Sequence, residues 1–229
     1  MVDATSCPVC AADLVWFGPG SEDGLGPLTS ELRRLCVGPD PIAGGVMWCS
    51  RCPFAWTSQD LDEVASLLDT QARPNPWQGR ESDGVNGTVG AMMQAHLPPA
   101  QHAGQAWSTV AWMRGWGGLG VLVTGDAWLR AAWMFDDEEE LEHGLNARRW
   151  ARDCYEQALE EKSDFRRVID RIVVAYLAGE LSRKLGDVAR AQDWFDDVAA
   201  SIGTDPGLAD LAALAQRQLV DPVDHVPGK

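Results

Sequence analysis

Four cysteines are the residues in this 229-residue chain whose type and spacing most directly suggest chemistry. Cys7 and Cys10 form one C-x-x-C pair, and Cys49 and Cys52 form a second pair after 38 intervening residues. Each pair places two sulfurs on one tight turn, so two such turns supply the four thiolates that tetrahedral zinc requires. We therefore expect these cysteines to bind a structural Zn²⁺ ion. Such a closed site leaves no coordination position for substrate, which argues against zinc-based catalysis.

Redox exchange at one C-x-x-C pair is the alternative for these cysteines. Redox pairs usually open a helix after a strand in a βαβ unit, and neither pair has that setting. The two remaining cysteines have no partner at short spacing. We expect Cys36 to be an ordinary small or loop residue and Cys154 to lie in the core.

Composition and charge limit the classes of partner. The formal net charge is −15 at pH 7, and a surface this acidic repels nucleic acid and anionic lipid while favouring basic partners. No apolar run approaches the roughly 18 residues of a membrane helix, and the N-terminus lacks the basic and apolar segments of a signal peptide. We therefore expect a cytoplasmic protein with reduced thiols and no membrane association.

Charge and hydrophobic pattern divide the chain into four segments. Residues 1–72 are acidic and predict a zinc-ribbon-like domain with a following helix. Residues 73–125 are nearly neutral and predict a linker and additional helices. Residues 126–220 are acidic and strongly helical, and residues 221–229 are expected to form a tail. The predicted fold class is mainly α, with a small N-terminal β zinc ribbon.

Local patterns place the elements of the ribbon segment. Short apolar runs predict strands over residues 14–17, 44–48 and 54–56. A helical turn is expected over residues 29–35. A further helix is expected to start behind a cap at Ser58 and to run through Leu68.

Helical periodicity dominates the rest of the chain. Helices are predicted over residues 89–96, 104–114, 127–135, 138–162, 165–181, 188–202 and 206–219. In the helix over 138–162, we expect Leu141, Leu145 and Cys154 to face inward. The exposed side of that helix is expected to carry its arginines, Arg148, Arg149 and Arg152.

Small and aromatic residues in the last third are spaced as in a tetratricopeptide repeat. Ala178-Gly179 and Leu185-Gly186 mark one helix and its turn, where small residues let paired helices approach closely. Phe195 on the next helix is placed to fill the space opposite them. This spacing resembles a stack of tetratricopeptide-like helical hairpins.

The whole arrangement resembles an uncharacterised bacterial family, domain of unknown function 2225. Members of that family pair an N-terminal C-x-x-C…C-x-x-C segment with tetratricopeptide-like helices. The similar stretches are Cys7–Cys10, Cys49–Trp56, Ala131–Leu159 and Tyr176–Val198. The resemblance implies zinc and helical repeats, but no activity. Zinc knuckles usually have glycine after the second cysteine, where this chain has Ala11 and Pro53, and Pro53 has no N–H to offer a thiolate.

Two further clusters have both a functional and a structural interpretation. The acids from Asp136 to Glu142, with His143, could bind a divalent cation, but acids also favour a helix N-terminus, which is the interpretation we prefer. Five tryptophans could line a groove or pack between helices, and core packing is preferred. They are Trp107, Trp112, Trp116, Trp128 and Trp133.

These observations favour a non-enzymatic adaptor or scaffold that contacts a protein or peptide, preferably a basic one, through helical repeats. Tyr176, Glu180 and Arg183 are the candidate residues of its binding groove. One alternative is a nucleic-acid-associated zinc-ribbon regulator, although the acidic charge of the ribbon segment argues against direct binding. Another is an enzyme whose site carries no recognisable motif.

Overall fold

The computed structural model describes residues 6–18, 25–36, 40–57, 61–73, 87–161, 165, 168–201 and 208–226. The elements in these ranges are, in chain order, β1 (Leu14–Val15), β2 (Leu25–Thr29), β3 (Arg34–Cys36), α1 (Pro41–Gly44), β4 (Val46–Cys49), β5 (Ala55–Thr57), α2 (Leu61–Asp69), α3 (Val89–His96), α4 (Ala103–Gly117), α5 (Val121–Asp137), α6 (Leu141–Glu160), α7 (Val168–Lys184), α8 (Val188–Ala200), α9 (Ala209–Val220) and β6 (His225–Val226). The predicted mainly helical class with a small N-terminal sheet is confirmed. The expected cap at Ser58 lies outside the described residues.

The chain folds into two compact units. Unit 1 comprises Met1–Glu22 and Gly38–Ala147, and unit 2 comprises Asp23–Val37 and Arg148–Lys229. The four segments predicted from charge stay a prediction, because they describe composition along the chain and not packing. None of the described helices combines the length and apolarity that a membrane crossing requires.

In unit 1, a small antiparallel sheet has the strand order β1-β4-β5. Leu14 pairs with Cys49, and Trp48 pairs with Ala55. All residues of β4 and β5 are buried, and α4 packs against both strands and against α5. The strands predicted before and after the second cysteine pair are thus confirmed within a few residues, although α1 precedes β4.

The tryptophans of unit 1 form part of its core, as core packing predicts. Trp107, Trp116 and Trp128 are at most 1% exposed. Trp112 stacks on Trp116 and contacts Trp128 edge-on, while Trp133 is half-buried. Such large aromatic side chains contribute much of the apolar area that a domain of this size buries. These rings therefore support the fold of unit 1.

In unit 2, α7 and α8 form a helical hairpin. The turn between them uses Gly186 at a φ of 83°, and Asp187 caps α8 by accepting a hydrogen bond from the Arg190 N–H. Phe195 is fully buried and packs directly on Gly179. Helices α7 and α8 therefore approach each other closely at Gly179 and Phe195, as the small residues and the aromatic side chain predict.

Replacing Gly179 by alanine tests this packing. A Cβ atom at this position would lie 2.8 Å from the Phe195 ring, so overpacking is expected to destabilise the protein by about 1–3 kcal/mol in urea unfolding. Helix propensity alone predicts the opposite sign, a gain of roughly 1 kcal/mol. The double variant Gly179→Ala/Phe195→Leu should recover part of the loss. A Gly179→Ala protein as stable as wild type would contradict the packing.

Unit 2 also contains a sheet that corrects the predicted helical turn over residues 29–35. Strands β2 and β3 form an antiparallel hairpin there, and the sheet order is β3-β2-β6. Leu32 turns the chain at a φ of 61°, and the Thr29 hydroxyl accepts a hydrogen bond from the Arg33 N–H. Part of the expected tail is ordered as β6, which pairs with β2 through Thr29 and His225. The local helix signal is overridden by strand pairing, both within the hairpin and between β2 and the distant β6.

Four residues of α6 do not lie where helical periodicity predicts. One of them is Arg152, expected on the exposed side, which has a side chain that is only 13% exposed. Leu141 and Leu145, expected to face inward, are 68% and 44% exposed. Arg148, expected on the solvated side, is buried and binds the equally buried Glu31 at two points. The apolar face of α6 therefore begins only after Leu145. Cys154 is fully buried, which confirms its expected place in the core.

Candidate metal centre

Two antiparallel strands bring the cysteine pairs together. Cys7 and Cys10 lie in the turn that precedes β1, whereas Cys49 ends β4 and Cys52 lies in the turn towards β5. Since β1 pairs with β4, the two turns meet at the same end of the sheet. The four sulfurs lie within 4.8 Å of one another. Two of these separations, Cys7–Cys52 and Cys10–Cys49, are each 3.5 Å.

These distances fit a tetrahedral metal ion. A Zn–S bond of about 2.3 Å requires sulfurs about 3.8 Å apart, between the shortest and the longest separations observed. A disulfide would instead need a separation of about 2.0 Å, and all four cysteines are free. No other group of His, Cys, Asp or Glu in the described ranges meets the same distance criterion. The four sulfurs could therefore hold a metal ion such as zinc.

Backbone N–H groups surround the sulfurs in a repeated pattern. The N–H groups of Val9 and Arg51 donate to the first sulfur of each pair, that is, to Cys7 and Cys49. The second sulfurs, those of Cys10 and Cys52, accept from Ala12 and Phe54. Each of these four donors lies two residues after its cysteine, and the Cys10 N–H also donates to the Cys7 sulfur. Such donors stabilise thiolates and so favour metal binding.

This pattern explains why Pro53 is tolerated. The N–H group that reaches the sulfur of Cys52 belongs to Phe54, so the missing N–H of Pro53 removes no donor from that sulfur. Ala11 occupies the corresponding place in the first turn at a φ of 57°, a conformation that glycine would adopt more easily. Both substitutions are therefore compatible with paired zinc-knuckle turns.

Without a metal, the four thiols have unequal acidities. The hydrogen bond from the Ala12 N–H lowers the pKa of the Cys10 thiol to about 7. Burial raises the pKa values of Cys7 and Cys52. Four thiolates this close together repel one another, so they coexist only when a cation compensates their charge. The geometry and the donor set thus fit a thiophilic divalent ion, and they leave Cys36 and Cys154 outside the site.

The acidic run after α5 does not form a second metal site by the distances in the described part of the chain. Glu138 instead accepts a hydrogen bond from the Gly104 N–H in the first turn of α4, and burial raises its pKa. His102 lies between Glu138 and Glu140, and Glu140 also contacts His143. Glu138 therefore binds the N-terminus of α4, and Glu142 lies in the first turn of α6, so the preferred helix N-terminus interpretation agrees with the structure at both helices.

An acidic pocket, not predicted from the sequence, lies on unit 2. It has a volume of about 210 Å³ and is lined by Glu156, Glu160, Arg190, Asp193, Trp194 and Asp197. The Trp194 indole N–H donates to Glu156 at 2.9 Å, and the Arg190 guanidinium lies 3.3 Å from the same carboxylate. Burial raises the pKa of Glu156, while its contacts with Trp194 and Arg190 oppose that change. The pocket therefore combines an oriented indole with four carboxylates.

The spacing of the acids could have indicated this pocket. Glu156 and Glu160 are four residues apart on α6, and Asp193 and Asp197 are four residues apart on α8. Residues at this spacing lie on one face of a helix, so each pair forms a local acidic stripe. The sequence does not reveal that the two stripes share a pocket, because that depends on tertiary packing.

The three residues expected in a binding groove stabilise unit 2. Tyr176 and Glu180 are fully buried, and burial raises the pKa of the Tyr176 hydroxyl. That hydroxyl donates to the Ser30 carbonyl at 2.8 Å. Arg183 binds Glu180 through two hydrogen bonds of 2.8 Å. A partner-binding role for these residues stays a prediction that the burial of Tyr176 and Glu180 does not favour.

Comparison with known proteins gives one similarity. No curated protein and no solved structure matches the chain significantly. The α5–α9 region carries the similarity, and it follows the four clustered cysteines in the chain. The resemblance predicted from the sequence is therefore confirmed, since residues 122–219 match the family described as "Uncharacterized protein conserved in bacteria (DUF2225)".

Proposed function

We propose that this protein is a metal-stabilised adaptor that binds a basic segment of another protein and catalyses no reaction. Four thiolates in a closed arrangement suit structural Zn²⁺, which when bound would cross-link the two turns of a zinc ribbon. The chain's own N–H groups would hold those thiolates in place. The binding function is assigned to unit 2.

The α7–α8 hairpin supports a repeat-like interaction surface. Its small residue opposite a buried aromatic, Gly179 opposite Phe195, is the packing typical of tetratricopeptide repeats. Helix α9 packs against both α7 and α8, which extends the helical layer. Helical stacks of this kind commonly bind extended peptides along one face. We therefore interpret unit 2 as a short tetratricopeptide-like stack.

The acidic pocket is the observation that carries the proposal. The Arg190 guanidinium contacts the carboxylate of Glu156. This intramolecular contact is a precedent for an arginine of a partner binding the carboxylates of the pocket. The Trp194 ring beside them offers an aromatic surface for cation–π contact with an incoming arginine or lysine. The net charge of −15 raises the local concentration of basic partners. A basic peptide is thus the ligand class that best complements the pocket.

Binding of a labelled peptide of alternating arginine and glycine, measured by fluorescence anisotropy at physiological salt, tests the proposal. The variant Glu160→Gln/Asp193→Asn should weaken binding about fivefold, since two exposed ion pairs contribute roughly 0.5 kcal/mol each. Both residues line the pocket.

The matched control is Glu161→Gln/Asp196→Asn, which changes the net charge equally. Glu161 and Asp196 accept hydrogen bonds from neighbouring glutamines and do not line the pocket. This control should weaken binding less than about twofold. Equal losses in both variants would mean that only general electrostatic attraction is measured, and an absence of wild-type binding would refute the proposed ligand class.

A further inference from the structure

The β2–β3 hairpin connects the two functional parts of the chain. In sequence it lies between the cysteine pairs, which belong to unit 1, yet the hairpin itself belongs to unit 2. The chain thus leaves unit 1 after Cys10, contributes two strands to unit 2, and returns to unit 1 before Cys49. One pair of candidate metal ligands therefore precedes the segment that belongs to unit 2, and the other pair follows it.

The contacts that hold the hairpin in unit 2 are specific and mostly polar. The Ser30 N–H donates to the Asp224 carbonyl at 2.9 Å, and the Ser30 carbonyl accepts from the Tyr176 hydroxyl. The buried Glu31 accepts two hydrogen bonds from Arg148, at 2.6 and 2.9 Å. Such contacts form only when the hairpin is docked, and they contribute little when it is open. Docking is therefore an equilibrium that the chain's connectivity can shift.

A metal ion at the cysteines would close this segment into a loop. The 38 residues between Cys10 and Cys49 would then have tied ends, which restricts the open state of the hairpin more than its docked state. Without the metal, the start of the segment is held by the two-residue strand β1, by the hydrogen bond from the Trp16 indole N–H to the Gly44 carbonyl, and by the edge contact of Phe17 with Trp48. Trp16 and Phe17 are 46% and 65% exposed, so these contacts bury little area. Strand pairing this short resists opening weakly.

We infer that metal occupancy of the four-cysteine site controls how firmly the β2–β3 hairpin docks in unit 2. Metal release loosens the hairpin and with it the edge of the sheet that β6 completes. The inference rests on the metal-binding part of the proposed function and adds a regulatory consequence to it. Metal binding at the four cysteines would then change the stability of the β2–β3 hairpin in unit 2 through the chain that connects them.

Hydrogen exchange of the full-length protein tests this coupling. Zn²⁺-loaded protein is compared with protein from which a chelator has removed the metal, with metal content measured in both samples. The amides of Thr29 and Ser30, which donate within the hairpin and to Asp224, should lose protection by about tenfold or more. The α8 amides, such as that of Ala191, should keep theirs, and adding Zn²⁺ back should restore the hairpin.

A second variant loosens the hairpin while the metal stays bound. Tyr176→Phe removes the hydroxyl that bonds Ser30 and should lower hairpin protection about fivefold at unchanged zinc content. Its control, Ser182→Ala, removes another buried hydroxyl of α7, which donates within the helix to the Ala178 carbonyl, and should leave the hairpin unchanged. Because both perturbations act on one opening equilibrium, the effects of Tyr176→Phe and metal removal should multiply.

The outcomes separate the inference from the proposed function. If zinc is removed and the hairpin amides are unchanged, the coupling is refuted while the metal site stands. If the α8 amides lose as much protection as the hairpin, the metal supports global stability and the local coupling is likewise refuted. If the protein binds no zinc at all, both the metal site and the coupling are wrong.

Discussion

Replacing Glu31 by alanine is expected to lower the free energy of unfolding by about 3–5 kcal/mol, measured by urea denaturation. Glu31 is 3% exposed and its two carboxylate oxygens accept hydrogen bonds from Arg148, which is 5% exposed. The variant removes the carboxylate and leaves the guanidinium buried. An ion in a low-dielectric interior is strongly destabilised when its counter-charge is lost, because water cannot replace the contact.

The matched control removes a carboxylate from a more exposed pair. Asp153 accepts two hydrogen bonds from Arg152, but its side chain is 37% exposed, so Asp153→Ala should cost less than about 1 kcal/mol. The double variant Glu31→Leu/Arg148→Met should recover most of the loss, since an apolar pair avoids leaving the Arg148 guanidinium buried without the Glu31 carboxylate. Equal losses for Glu31→Ala and Asp153→Ala would show that burial of the Glu31–Arg148 pair is energetically unimportant.

The burial of this ion pair could not be predicted from the sequence. Glu31 and Arg148 are 117 residues apart, and each sits in a local pattern typical of a solvated charge. Arg148 lies beside Arg149 on α6, so helical periodicity assigns both to the charged face. The turn of the β2–β3 hairpin brings Glu31 to Arg148, and both side chains are buried there. Tertiary packing therefore reverses an inference that is reasonable from the helix alone.

For the same reason, the β2–β3 hairpin differs from the helical turn that the sequence predicts. Residues 29–35 have an adequate helix cap in Thr29, and nothing nearby signals a strand partner. Strand β2 pairs with its neighbour β3 and also with β6, which lies far along the chain in the segment expected to form a tail. The pairing of two strands so far apart in sequence produces no hydrophobic pattern in either strand that would indicate its partner. Non-local strand pairing is thus the part of this fold that one sequence cannot reveal.

Elements whose position depends on residues within one helix or one turn are predicted correctly from the sequence. The bounds of α3 agree with the prediction, because Thr88 caps its start and Pro98 follows its end. The α7–α8 hairpin was predictable because Gly179 and Phe195 must meet in any close helix pair. The cysteine site was predictable because each C-x-x-C turn fixes two sulfurs by itself. Only the pairing of the two turns needed the tertiary fold.

The loss of one cysteine ligand is expected to have the largest effect on metal binding. Cys49 is fully buried, and its sulfur lies 3.5 Å from that of Cys10. Structural zinc in small domains binds with an apparent free energy on the order of 12 kcal/mol, so one of four thiolates accounts for about 3 kcal/mol. Cys49→Ala should therefore weaken zinc binding about a hundredfold in a chelator competition, whereas wild type should bind one ion per chain.

The control for this prediction is Cys36→Ala, which removes a thiol outside the four-cysteine group. Its sulfur is half-buried and contacts the Arg34 carbonyl, so the variant should keep zinc at wild-type stoichiometry and affinity. Full zinc binding by Cys49→Ala would remove the basis for a four-thiolate site. A redox pair makes a different prediction: protein prepared without reductant would be lighter by two hydrogens per disulfide and would bind no metal. Intact mass and zinc content measured on one sample therefore decide between structural metal and thiol exchange, because a cysteine in a disulfide cannot supply the thiolate that the metal needs.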